Sequence, residues 1–237
     1  TSTNNVTIPS TYTNPPIVNV PKQAPARSSN LTINSKAVLT IDPDKALTVH
    51  GDLTNSGTLH IRSAQDPAQS IHYTQDGSLI VLGNRSAGTY KIDRFFSGSF
   101  WHMVSSPITD AKANVFTNLW LREYDESQNA WGAFVTNLST PLTVGKGFIV
   151  WSYDATDLRT YNGLINHGTI PMSIQYSTII APHQRGWNLV GNPYPSAIDW
   201  TIEGGWEKTN LAKTIYVYSA AKGNYLTWNP AYGGQAG

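Results

Sequence analysis

The chain contains no cysteine, which removes disulfide scaffolds, thiolate metal centres and cysteine nucleophiles from consideration together. Charge is scarce as well. Charged residues make up 13% of the chain, with Lys+Arg 16 against Asp+Glu 15, so there is no electrostatic footprint for nucleic acid or for an anionic membrane. No apolar run approaches the ~18 residues of a membrane-spanning helix, and the opening TSTNNVTIPS lacks the charged and apolar regions of a signal peptide. The chain therefore reads as a mature protein or an excised piece of one. Helical periodicity is the last absence. Apart from single turns around Asp110 to Phe116 and around Thr201 to Lys208, no segment sustains apolar residues at i, i+3, i+4 and i+7.

The 237 residues do carry 40% apolar and 11% aromatic side chains, enough for a sizeable core. In the first third these fall into short triplets: VTI at 6, LTI at 31 and 39, LTV at 47, LHI at 59 and LIV at 79. Alternation of apolar and polar residues has period two, the signature of a strand with one buried face. Strands this short need partners, and stacked rungs would supply them. The starts at Leu31, Leu39 and Leu47, eight residues apart, predict a short β-solenoid over 1–88 in which Leu31, Leu39, Leu47, Ile33, Ile41 and Val49 are buried and stacked. A β-sandwich built from the same triplets is the alternative.

From residue 89 the strands lengthen and become aromatic, predicting a β-sandwich-like domain over 89–237. WHMVSSP, Trp101 to Pro107, matches WNLVGNP, Trp187 to Pro193, and each is followed by aromatic residues seven apart around a polar turn, Tyr124 to Trp131 and Tyr218 to Tyr225. This predicts an internal twofold repeat. The counterpart of Phe148 in GKGFIVW would fall beyond Gly237, so the second copy reads as cut short. The fold class is all-β.

The order NVTIPS, LTINSKAVLTI, FWHMVSSP, YDESQNAW, GKGFIVW and GWNLVGNPYPSAIDW resembles the C-terminal regions of large secreted cell-surface proteins of Bacteroidetes. The resemblance implies export by the type IX secretion route, an extracellular or cell-surface location and an adhesive role, with the remainder of a larger surface protein as partner. It transfers no catalytic residues.

The residues themselves mark no reaction centre. His102, Ser105, Ser106 and Asp110 lack a Gly-x-Ser-x-Gly elbow. No pair of acids is marked as a glycosidase couple. Asp42, Asp44 and Asp52 could offer oxygen to Ca²⁺, although their spacing matches no established loop; no other cofactor is implied. Trp101, Met103 and Val104 are expected to pack inward, with His102 on the polar side. In the GWNLVGNPYPSAIDW stretch, Trp187, Leu189 and Val190 read as a strand entering the core, with Asn192 bonded to its own turn. Tyr194, Asp199, Trp200, Trp131 and Trp228 are the candidate ligand-binding residues, with Trp120 and Trp206 as further stacking platforms. The expectation is a non-enzymatic structural or adhesive module. A carbohydrate-binding module with extracellular glycans as partner is the alternative, and a polysaccharide-active enzyme of β-helix type comes third.

Overall fold

The computed structural model describes residues 4–67, 74–154, 156–200, 205–219, 222–230 and 233–236. In chain order the strands are β1 (Val6–Ile8), β2 (Ile17–Val18), β3 (Ala26–Ser28), β4 (Leu31–Ile33), β5 (Val38–Ile41), β6 (Ala46–Val49), β7 (Leu53–Asn55), β8 (Thr58–Ile61), β9 (Ser63–Gln65) and β10 (Thr74–Asp76). There follow β11 (Ser78–Val81), β12 (Thr89–Ser97), β13 (Phe100–Val104), β14 (Trp120–Asp125), β15 (Ala130–Phe134), β16 (Phe148–Ser152), β17 (Thr156–Asn162), β18 (Ile215–Ser219), β19 (Asn224–Asn229) and β20 (Gly233–Ala236). The protein is all-β: among the described residues helical backbone is limited to 3₁₀ turns at Ala113–Phe116 and Pro182–Gln184 and a 3₁₀ residue at Gly205. The first lies within the turn expected near Asp110 to Phe116. The second expected turn lies partly outside the described residues.

The chain divides into two compact units, Thr1–Ser196 and Ala197–Gly237. In the first unit the triplet strands pair in parallel within three sheets, in the orders β1-β4-β7, β3-β6-β11 and β2-β5-β8-β12. Leu31 lies beside Leu53, Leu39 beside Leu59, and Leu47 beside Leu79. All six residues expected in the core are buried, with Ile33, Ile41 and Val49 at 0% exposure. One expectation needs correcting. Leu31, Leu39 and Leu47 do not stack on one another, because they sit in three different sheets. Each pairs in parallel with a residue further along the chain, Leu31 with Leu53 and Leu39 with Leu59.

The corners between sides carry a polar ladder. The backbone N–H of Asn30 donates to Asn5 Oδ1 (3.2 Å), that of Asp52 to Asn30 Oδ1 (2.8 Å), and that of Asn84 to Asp52 Oδ1 (2.7 Å). Each side-chain oxygen thus accepts from the backbone amide of a residue on the neighbouring parallel strand's corner, at positions exposed to solvent. Glycine is required alongside. A Cβ at Gly83 would sit 2.5 Å from the carbonyl carbon of Gly51 and 2.7 Å from Asp52 Oδ1, so only a residue without one lets the two segments approach.

The expected 88/89 boundary falls immediately before β12, which belongs to both textures. Its first residues pair in parallel with β8, and Lys91 to Ser97 pair antiparallel with β17. Beyond it lies an antiparallel sheet of order β13-β16-β14-β15. One face of this sheet packs inward through Leu121, Phe148 and Val150, at 2%, 0% and 0% exposure, within a core that also holds Phe96, Phe116 and Tyr161.

The second unit holds an antiparallel sheet β18-β19-β20. Tyr218 stands directly opposite Tyr225 with ring centroids 5.4 Å apart, as Tyr124 stands opposite Trp131 at 5.6 Å in the first unit. Aromatic residues seven apart in both segments are therefore cross-strand partners at hairpins, where edge-to-face contact supports the pairing.

Candidate functional site

The sheet β13-β16-β14-β15 turns an aromatic face away from the core. Register places Trp101 opposite Trp151, and Trp151 opposite Trp120, so three tryptophans form a row across three neighbouring strands. Residues directly opposite in an antiparallel pair share a face. Two positions along β14, Arg122 lies opposite Phe134, and two further on Tyr124 lies opposite Trp131. Trp131 and Phe134 are three residues apart and would normally face opposite ways; an irregularity between Arg122 and Tyr124 brings both to this side. Tyr153, two residues past Trp151, reaches Trp120 at 5.2 Å.

The ring contacts bind this face together. Trp101 and Trp151 meet edge to face at 5.3 Å, Trp120 and Phe134 lie 5.4 Å apart, and the Arg122 guanidinium sits 5.0 Å from the Phe134 ring centre. Arg122 is held by bonds from its Nε to the Gly132 carbonyl and from its Nη2 to that of Trp131. Yet the rings are open to water: Trp120, Phe134 and Tyr153 are 49%, 46% and 47% exposed. An outer sheet face is ordinarily polar. Beside Trp120 and Phe134 lies a depression of ≈ 410 Å³ lined by Thr117, Asn118, Thr136 and Leu138, among others. Among the described residues, the side chains of Asn118 and Thr136, the Tyr153 hydroxyl and the indole N–H groups of Trp101, Trp120, Trp131 and Trp151 make no hydrogen bond. The arrangement offers ring faces together with uncommitted donors and acceptors, a combination suited to an amphipathic ligand.

Of the residues singled out from sequence, Trp131 and Trp120 belong to this face. Trp101 and Met103 do not pack inward as expected. The alternation runs the other way: His102 shares the inward side with Val150 and Leu121, its Nε2 lies 2.7 Å from the Ser97 carbonyl, and its ring contacts Phe96. Trp151, Phe134 and Tyr153 are additions that sequence reasoning missed. For Trp151 the signal is its identity as an aromatic residue in the FIVWSY run; for Phe134 the irregular pairing hides it.

The other candidates lie elsewhere. Tyr194 is half-buried, its hydroxyl donating to the Gly168 carbonyl at 2.6 Å, and burial raises its pKa. Asn192 is bonded within its own turn, as expected, its amide donating to the Ser196 carbonyl and its Oδ1 accepting from Tyr194 N–H. The corner itself docks inward, Pro195 accepting from Leu79 N–H and Pro193 from the Asn166 amide. Trp187 and Val190 do not enter the core. Each is 45% exposed, although the segment is held to the body by a bridge between Val190 and Lys146, by the Gly147 N–H donating to the Leu189 carbonyl, and by Asn188 bonded to Gln175. In the second unit, Trp200 and Trp206 lie 4.7 Å apart with Lys208 Nζ 4.1 Å from the Trp200 ring centre, and the Asp199 carbonyl accepts the Trp206 indole N–H. Trp228 is half-buried opposite Ile215.

The three aspartates considered for Ca²⁺ each have a partner within the chain. Asp42 pairs with Arg62 at 3.0 Å, Asp44 with Lys22 at 3.7 Å, and Asp52 serves the corner ladder. Among the described residues no group of three or more metal-ligating side chains comes together. Groups of the types used in catalysis are similarly engaged. Asp93 accepts from Thr160 at 2.7 Å and lies 2.8 Å from His60 Nε2. Burial pushes its carboxyl up, but the bonds from His60 and Thr160 outweigh that and hold it below its usual value. The Ser105 hydroxyl donates to the Asn192 carbonyl and that of Ser106 to the Ile108 carbonyl.

Comparison with curated proteins and with solved structures returns no match. One family model, described as a domain of unknown function (DUF8693), matches residues 1–236. A match over nearly the whole length means that the chain belongs to this family.

Proposed function

We propose that the protein is a non-enzymatic structural and adhesive module of a larger secreted cell-surface protein. The parallel circuits of residues 1–88 read as a short β-solenoid that serves as a stiff spacer, since stacked ladders resist bending better than isolated strands. The matching hairpins at Tyr124/Trp131 and Tyr218/Tyr225 support the reading of residues 89–237 as a twofold repeat. The single observation that carries the adhesive role is the aromatic outer face of the β13-β16-β14-β15 sheet. Aromatic rings left in water are costly unless a partner covers them, and aromatic anchors dominate the energetics of recognition surfaces. The engaged state of His60, Asp93, His102, Ser105 and Ser106 supports a non-catalytic role. Scarce charge with abundant Thr, Ser, Asn, Gly and Pro is in keeping with an extracellular setting.

The test is adhesion of the purified protein to an immobilised glycoprotein, read by surface plasmon resonance. Saturable binding that falls about tenfold or more in Trp120→Ala, as expected for loss of an aromatic anchor, supports the reading. Binding that is absent, or unchanged in that variant, overturns it.

A further inference from the structure

The nature of the adhesive partner follows from what this face does and does not offer. This step rests on the adhesive reading and identifies the ligand class of the same surface. The row Trp101, Trp151, Trp120 runs across the strands, with neighbouring strands about 4.8 Å apart, so a linear ligand lying along it meets a ring at each strand step. A ring face attracts the C–H face of a saturated ring, and the energy comes from apolar area with no charge required. The one charged side chain of this face among the described residues, Arg122, has its Nε and Nη2 committed to backbone carbonyls and its plane against Phe134. An anionic polymer would find a single guanidinium here, already largely committed, where binding such a polymer takes several cations. An apolar peptide would bury the rings but would leave the Asn118 amide, the Thr136 and Tyr153 hydroxyls and the indole N–H groups without defined partners, at a cost for each one desolvated. A ligand with apolar faces and a fringe of neutral hydroxyls satisfies both sets. The depression of ≈ 410 Å³ beside Trp120 and Phe134 has the size of a small-ligand pocket.

We infer that the face binds a neutral glycan, whose pyranose rings lie on the Trp101–Trp151–Trp120 row with their hydroxyls turned to Tyr153, Asn118 and Thr136. Trp120, the most exposed of the three, is the main platform. Tyr153 orients the sugar through a hydroxyl that has no partner among the described residues.

The experiment is affinity electrophoresis of the whole chain in gels containing one of three soluble neutral polysaccharides: mixed-linkage β-glucan, galactomannan or starch. Retardation in at least one gel is expected, lost in Trp120→Ala and weakened in Tyr153→Phe, which removes only a hydroxyl and leaves the packing intact. Trp187→Ala removes an equally exposed ring outside this face and retains the retardation. No retardation in any gel overturns the inference, as does retardation that survives both Trp120→Ala and Tyr153→Phe. Enzymatic removal of glycans from the immobilised glycoprotein separates the two readings. If Trp120-dependent adhesion survives deglycosylation, the surface is adhesive and the glycan assignment fails; if the intact glycoprotein is not bound at all, the adhesive reading itself fails.

Discussion

Asp52 shows how a residue type open to several roles is settled by its neighbours. In sequence it is an acid in a turn, a possible cation ligand. In the structure its Oδ1 accepts from both the backbone N–H and the side-chain amide of Asn84, while its own N–H donates to Asn30. Asp52→Ala should lower the stability of the first unit by about 0.5 to 1.5 kcal/mol, the net worth of a typical hydrogen bond, since Asp52 is exposed, measured as a shift of the denaturant midpoint. Asp52→Asn, which keeps an acceptor oxygen, should recover most of that loss. Equal loss in both variants would mean that the charge, and not the ladder, matters. The ladder was legible in part: Asn5, Asn30, Asp52 and Asn84 each stand immediately before Val6, Leu31, Leu53 and Arg85, the residues aligned by parallel pairing. Trp120 and Phe134 were less legible. Type alone does not distinguish a core ring from a surface ring, and the three-residue step from Trp131 to Phe134 hides their common face behind an irregular pairing.

At the scale of elements, the β14–β15 hairpin holds a distant segment through one side chain. Glu126, in the turn between those strands and 2% exposed, accepts from the backbone N–H and hydroxyl of Ser177 and from the backbone N–H of Gly186. The bond from the Ser177 hydroxyl, followed by that from Gly186, lowers the Glu126 pKa from its ordinary 4.5 against the opposing effect of desolvation. A depressed folded-state pKa means that the ionised form stabilises the fold. That contribution is complete above the unfolded value near 4.5 and is lost as pH falls through the lower folded value. Amide exchange at Gly186 and Ser177, referenced to intrinsic rates, should therefore accelerate as pH drops through that window, and Glu126→Gln should show the faster exchange already at neutral pH. Protection that is independent of pH, or unaltered in Glu126→Gln, would contradict the clamp. The element-level alternation was readable for the triplet strands, because one buried face imposes period two. It misleads for WHMV, where both faces carry large side chains: Trp101 and Met103 face outward while His102 takes the core side.

On the scale of the whole molecule, the all-β class and the buried ladder of Leu, Ile and Val were visible in composition and periodicity. The path was not. An eight-residue repeat does not say which triplets pair, and only the structure sets Leu31 beside Leu53 and Leu39, in another sheet, beside Leu59. The candidate site is also a product of assembly. Trp101, Trp120, Trp131 and Trp151 come from four strands spread over the sequence, and their common face arises from the strand order β13-β16-β14-β15. With eight tryptophans in the chain, ¹H–¹⁵N NMR of the indole N–H groups resolves this face from the rest. On titration with glycopeptides released from a glycoprotein that the protein adheres to, the resonances of Trp101, Trp120, Trp131 and Trp151 should shift together, while those of Trp187, Trp200, Trp206 and Trp228 stay in place. Shifts confined to the second group, with the sheet-face indoles unmoved, would contradict the account.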